Sequence, residues 1–311
     1  MKKFLKWLGI IVGVLLVVDI AAGMYFFHVA EVRSPKSFIS ADAQVSKSNP
    51  TYKNQEWYKT VNKQHWTMKS AGGDLKLDAN FIPAEHKTNK TAILVHGFMN
   101  SKKNVGAAAG MFHQMGYNVL APDDRAHGQS QGKFIGYGWL DRKDYVKWMN
   151  LLLHKEGQNQ QLVMWGISMG GATVMMTSGQ KDVPHQLKAY IEDCGYTSVD
   201  DEITYQAKEM YHLPKWPLVP TVSAISQIRA GYNYSEASSV KQLHKNTRPM
   251  LFIHGTDDTF VPTKMINQVY DATKGPKEKL LIKGAKHAQS IEKDYPLYQK
   301  TVEKFLGRYV K

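Results

Sequence analysis

From residue 75 onward, short apolar runs alternate with longer stretches in which apolar positions recur at helical spacing. Residues 75–82, 91–95, 117–121, 162–165, 187–191, 250–253 and 280–282 read as strands, and 142–153 and 291–306 as helices. Several of the strand-like runs are apolar throughout, as strands covered on both faces must be. The alternation predicts an α/β chain: a mostly parallel, doubly wound sheet with helices on both faces.

Two stretches break that rhythm. At the amino terminus, Met1-Lys2-Lys3-Phe4-Leu5-Lys6 precedes a run, 7–30, that is apolar apart from Asp19 and His28. Such a run can span a hydrocarbon layer of about 30 Å. The lysines predict that its start stays in the cytoplasm, leaving a single-pass protein of the cell membrane with an extracellular domain. Ala21-Ala22-Gly23 offers small residues for signal cleavage, and secretion is the alternative, but the apolar run from Met24 to Phe27 favours an uncleaved anchor. Segment 1–30 is therefore an anchor or signal segment. Segment 31–70, polar but carrying Trp57, Tyr58 and Trp66, is a stalk that becomes a docked helix over 55–68. The catalytic domain is expected over 71–311. The second break is 199–240, too long for a simple crossover and rich in tyrosine, tryptophan and proline.

The chemistry gathers where strand-like runs end. Ser168 lies in Gly166-Ile167-Ser168-Met169-Gly170, between an apolar run and the small residues Gly171, Ala172 and Thr173. A serine on a sharp strand-to-helix turn is exposed to a base and to backbone N–H donors, which makes its poor hydroxyl nucleophile useful. Run 250–253 empties into a turn-rich segment with two carboxylates, Asp257 and Asp258. A later run leads to His287, whose imidazole can take and return a proton at neutral pH. The order Ser, Asp, His is the one this arrangement requires. Upstream, 91–95 ends in His96-Gly97-Phe98-Met99, where a turn can aim the Phe98 amide at the same point as the Met169 amide, giving an oxyanion hole. His96, His127 and His254 are loop histidines expected to brace the site.

Together His96-Gly97-Phe98, Asp124-Arg125-Ala126-His127-Gly128-Gln129-Ser130, Gly166 to Gly171, His254-Gly255 to Pro262 and Gly284 to His287 resemble the landmarks of the α/β-hydrolase superfamily. More narrowly they are similar to membrane-anchored bacterial cell-surface serine hydrolases of the esterase and serine-aminopeptidase-like branches. The resemblance implies Ser168 as nucleophile, Asp258 as acid, His287 as base, and Phe98 and Met169 as oxyanion donors. Asp258 is chosen over Asp257 because the family pattern Gly-x-x-Asp-x-x-Val-Pro matches Gly255, Asp258, Val261 and Pro262; Asp193 is a weaker substitute acid. It also implies that 199–240 is a helical cap over Ser168, with Tyr211 and Trp216 as substrate-binding aromatics.

Composition narrows the picture. The chain has 311 residues and one cysteine, Cys194, expected to be a buried thiol, so an intrachain disulfide is excluded. No histidine cluster has metal-ligand spacing, and neither metal nor cofactor is expected. The formal charge of +13 is dispersed; outside the cell it suits non-specific attraction to anionic lipid or wall polymer rather than nucleic acid. The expected function is an extracytoplasmic serine hydrolase acting on small-molecule carboxylic esters through an acyl-enzyme. Amide or peptide cleavage, or a catalytically silent anchored binding protein, are the alternatives.

Overall fold

The computed structural model describes residues 1–34 and 45–311; the part of the expected stalk at 35–44 lies outside them. Eight strands form one sheet: β1 (Gln64–Lys69), β2 (Lys76–Ile82), β3 (Lys90–Val95), β4 (Asn118–Pro122), β5 (Gln161–Ile167), β6 (Leu187–Asp193), β7 (Met250–Gly255) and β8 (Lys277–Ile282). Their order is β1-β2-β4-β3-β5-β6-β7-β8. β2 runs antiparallel to β1 and β4, and all other neighbours are parallel. This is the expected α/β-hydrolase fold.

The central strands read as unbroken apolar runs because alternate side chains serve two cores. Ile93 and Val95 of β3 join one cluster, with Trp148 and Met149 of α4 (Asp141–Glu156) and Met175 of α5 (Met169–Ser178). Ala92 and Leu94 join the opposite cluster, with Phe112 of α3 (Gly106–Gln114) and Tyr298 and Phe305 of α10 (Tyr295–Leu306). Burial on both faces removes any need for a polar position.

The expected helix over 55–68 is corrected. A shorter helix, α2 (Tyr52–Thr60), ends at Val61, and the chain then enters β1. The reason is a change of period from helical to two: Trp66 turns inward while His65 and Thr67 face out. Trp66 stacks on Phe81 of β2, centroids 4.3 Å apart and rings 14° from parallel.

Between β6 and β7 lie α6 (Val199–Tyr211), α7 (Leu218–Arg229) and the short α8 (Ser239–Leu243). α8 packs back on α5 and on α9 (Met265–Ala272), so α6 and α7 form the excursion. A bridge between Ser198 and Ser238 closes its neck.

The first helix, α1 (Lys2–Glu31), is long and apolar enough to cross a membrane. Its apolar side chains are exposed through Ile20, yet its last turns are built into the domain. Phe27 is fully buried, and buried Glu31 accepts hydrogen bonds from Ser226 (3.0 Å) and Tyr234 (2.8 Å). Val32 bridges to Phe134, and the Arg33 guanidinium donates to the carbonyls of Gly128 and Ser130. Where a stalk was expected to begin at residue 31, the chain is already docked.

Candidate active site

Ser168 sits between β5 and α5 with φ 57° and ψ −120°, a strained turn held from both sides. Its amide donates to the Asp193 carbonyl at the end of β6 (2.8 Å). The flanking glycines are steric necessities. A Cβ on Gly166 would lie 2.3 Å from the Gly170 carbonyl oxygen, and one on Gly170 would lie 2.2 Å from that of Val95. The turn thus closes against both its own helix and β3.

Ser168 Oγ is 2.8 Å from His287 Nε2, and His287 Nδ1 is 2.8 Å from Asp258 Oδ2. Asp258 leaves β7 in a tight turn in which its other oxygen accepts the amides of Phe260 and Val261, both at 2.9 Å. Burial alone would raise its pKa, but hydrogen bonds with His254 and His287 outweigh that and hold it at about 2. His254, buried beside it, touches Val261 O (2.9 Å) and Asp258 Oδ2 (3.3 Å). Asp257 is exposed and, among the described residues, its carboxylate accepts only from its neighbour Thr256. Asp193 makes no hydrogen bond to His287, and burial pushes its own carboxyl up to about 6. Phe260 covers the His287 ring at 4.8 Å between centroids.

Opposite Ser168, Gly97 packs at van der Waals distance: a Cβ there would stand 3.5 Å from Ser168 Cβ and 3.4 Å from the Ile167 carbonyl oxygen. Phe98, the next residue, lines the same cavity as Ser168 and Met169. Met169 is the first residue of α5, where an amide has no intrahelical acceptor. Two histidines pin the Phe98 loop. His96 Nε2 accepts the Asp124 amide (3.0 Å), leaving Nδ1 to donate to Gly97 O (2.8 Å). His127 Nε2 accepts the Met99 amide (3.1 Å), leaving Nδ1 to donate to Arg125 O (2.9 Å). Each ring must be neutral to do this. Burial lowers the pKa of both, that of His127 to about 3.

An apolar cavity open to solvent lies over Ser168. Met169, Phe98, Tyr137, Phe260 and residues of α6 and α7 line it. Tyr211 is at its rim, but Trp216 is 72% exposed and lines none of it. The aromatic expectation for Trp216 as a pocket residue is thereby corrected: it follows the end of α6 and precedes α7, on the outer corner of the excursion.

Two contributions escaped the sequence reading. Phe26, Val29 and Ala30 of α1 form one cavity wall. They occupy positions i, i+3 and i+4, one helical face, but in a helix apolar all round that face carries no distinguishing pattern. Glu202 of α6 also lines the cavity; its Oε1 accepts from Gln206 (2.8 Å), and its Oε2 is buried without a hydrogen bond. In sequence it is one of three acids in the first turn of α6, a usual place for negative charge. Burial pushes it up to about 8, so it is a neutral acid at pH 7.

Cys194, Asp258 and His287 place potential ligand atoms within 4.8 Å of one another. The Asp258 and His287 atoms are already joined by a hydrogen bond. Burial, then Asp193 and Asp258, push the Cys194 thiol up and oppose a thiolate ligand.

A family model described as serine aminopeptidase, S33, matches residues 86–217. An uncharacterized protein of Bacillus subtilis, YqkD, is 31% identical over 98% of this chain and 97% of its own length. The uncharacterized YfhR of Escherichia coli O157:H7 is 27% identical over 70% of each chain. Among solved structures, the Pyrococcus furiosus esterase Pf2001 matches with TM-score 0.66 at 21% identity, covering 88% of this chain and 98% of the esterase. Est1E of Butyrivibrio proteoclasticus, with ferulic acid bound, matches with TM-score 0.60 at 20% identity, over 79% and 99%.

Proposed function

The chain belongs to the α/β-hydrolase superfamily, and from that premise we propose that it is a membrane-anchored serine hydrolase of the esterase and serine-aminopeptidase-like kind that cleaves carboxylic esters. The observation that carries the reading is the unbroken relay Ser168–His287–Asp258 at the floor of an apolar cavity.

Ser168 Oγ attacks the ester carbonyl while His287 Nε2 takes its proton, and Asp258 supports the imidazolium that forms. The Phe98 and Met169 amides receive the developing oxyanion; one such donor is worth roughly 3 to 4 kcal/mol in measured systems. His287 then protonates the leaving alcohol as its bond to the acyl carbon breaks. Water, deprotonated by His287, releases the acid and restores Ser168.

Lys2, Lys3 and Lys6 favour a cytoplasmic amino terminus with the domain outside, and the docking of residues 19–31 favours an anchor that is retained. A second reading, cleavage of an aminoacyl amide, draws on Glu202, whose buried, unpartnered Oε2 would accept a hydrogen bond from a substrate ammonium. The deciding experiment treats wild type and Ser168→Ala with a fluorophosphonate, locates the adduct by mass spectrometry, and compares p-nitrophenyl esters with aminoacyl anilides. Labelling at Ser168 with ester turnover supports the proposal; equal labelling of the variant sinks it, and turnover of anilides alone selects the second reading. Fractionation with sequencing of the mature amino terminus tests the anchor.

A further inference from the structure

We propose that the cavity takes the acyl chain of a glycerolipid ester directly from the bilayer that holds α1, with α1 itself as one wall of the acyl site. This rests on the ester-hydrolase reading and adds the source and class of the substrate.

The first ground is the shared wall. Phe26, Val29 and Ala30 line the same cavity as Ser168, so the helix that enters the membrane also bounds the path to the nucleophile. The Phe26 ring meets Tyr211 of the cavity rim edge-on at 5.1 Å.

The second ground is height above the membrane. α7 runs beside α1 along the whole docked stretch: the Thr221 hydroxyl donates to Asp19, Gly23 lies against Thr221 and Ile225, and Ser226 reaches Glu31. A Cβ on Gly23 would stand 2.6 Å from the Thr221 methyl, so the two helices are as close as a glycine permits. The turns that precede Asp19 expose their apolar side chains and extend for roughly 25 Å at about 1.5 Å per residue. That is about 5 Å less than a hydrocarbon layer of about 30 Å, so all of it is needed and about three residues from Asp19 onward complete the span. No spacer is left. The outer membrane face falls close to Asp19–Gly23, and Phe26 sits within about two helical turns of it.

The third ground is the surface at that corner. Tyr25 is 60% exposed and Trp216 72%, with Met24, Met210 and Tyr211 also exposed. Aromatics of this kind concentrate at lipid headgroup level, where an apolar ring and a polar edge are both satisfied. An apolar patch beside a cavity mouth is costly in water and useful against lipid. A lipid chain leaving the bilayer here enters the cavity with little passage through water, and its ester carbonyl comes to rest at Ser168. Attack by Ser168 transfers the acyl group to the enzyme and releases the glycerol hydroxyl with the proton from His287; water then gives the free fatty acid.

The test reconstitutes the full chain into phosphatidylcholine vesicles carrying a small mole fraction of labelled dioleoylglycerol and measures oleate release. Release is expected to follow the mole fraction in the bilayer, not the bulk concentration. Ala30→Trp, which fills the α1 wall, should lower the ratio of long-chain to short-chain ester turnover at least tenfold. Phe26→Ala, which opens the wall, should shift chain-length preference the other way, and Leu15→Trp, on the lipid-facing part of α1, should leave both unchanged. Thermal melting checks that each variant is folded. If wild type accepts fluorophosphonate and short esters but releases no oleate from vesicles, or if both wall variants keep the wild-type chain preference, the inference fails while the hydrolase reading stands. Absence of labelling and of turnover on any ester would overturn the hydrolase reading itself.

Discussion

Replacing His127 by phenylalanine removes the acceptor of the Met99 amide and the donor to Arg125 O while keeping the bulk of the ring. Met99 sits at φ 57°, a conformation unfavourable for its side chain, so the hydrogen bond opposes relaxation of the turn. An amide left without its partner costs about 1 to 3 kcal/mol. Complete loss of one oxyanion donor costs roughly 3 to 4 kcal/mol, which sets the ceiling, because Phe98 is displaced and not removed. We expect His127→Phe to lower kcat on a short p-nitrophenyl ester about ten- to hundred-fold with KM little changed, and His127→Gln, which retains an acceptor, to lose less. Stability supplies an independent check. Burial lowers the His127 pKa from 6.5 to about 3, so the folded state holds this ring neutral where the unfolded chain binds a proton. That contribution is intact above pH 6.5 and is lost progressively as pH falls towards 3; by pH 5 the loss amounts to about 2 kcal/mol. Urea unfolding at pH 7 and pH 5 should therefore show a smaller acid loss in His127→Phe than in wild type. Unchanged kcat together with an unchanged acid slope would refute the assignment of His127 as the brace of the Phe98 loop.

Other consequences follow from the same geometry. Asp258→Asn should reduce kcat by about four orders of magnitude, the scale set by a disturbed histidine tautomer in a serine protease, and exposed Asp257→Asn should not; the reverse ranking would move the acid by one position. Lys102 is buried against Asp78 (2.6 Å) and Asp123, so Lys102→Met should destabilise by about 3 to 5 kcal/mol, read by urea denaturation, through the carboxylates left without their partner. The folded state keeps Glu202 protonated up to about pH 8 where the unfolded chain releases the proton near 4.5, so this contribution falls as pH rises between those values. Melting of wild type should accordingly decline more steeply from pH 5 to pH 8 than melting of Glu202→Gln; parallel declines would contradict that placement.

What was legible in the chain depended on whether a pattern carried phase. Apolar runs ending in Gly, His or Asp located the strands and the carboxyl edge, since buried parallel strands leave only their ends free for polar chemistry. Ser168, Asp258 and His287, which the structure brings into one hydrogen-bonded line, all follow such runs. The choice between Asp257 and Asp258 needed a family pattern, because adjacent carboxylates differ only in which one the turn folds inward to meet the Phe260 and Val261 amides. Residues 55–68 were misassigned because Trp57, Tyr58 and Trp66 suit a helix face as well as an edge strand, and only the pairing with Phe81 decides. Trp216 was placed in the cavity because aromatic content carries no direction, and the chain turns it outward between Tyr211 and Leu218.

The hardest feature to read was α1. A helix that must be apolar all round to enter lipid erases the difference between the face it shows the bilayer and the face it lends to a protein. Among the small and polar residues of that helix, Gly23 and Glu31 are both buried against the domain. Each is used against a neighbouring segment: Gly23 admits Thr221 and Ile225 of α7, and Glu31 is buried with hydrogen bonds from Ser226 of α7 and from Tyr234 in the turn that follows it. A small residue about two turns from the end of an otherwise lipid-like helix, and a buried acid as its last residue, therefore mark the stretch that packs against the rest of the protein. It is there that the helix becomes a wall of the cavity over Ser168.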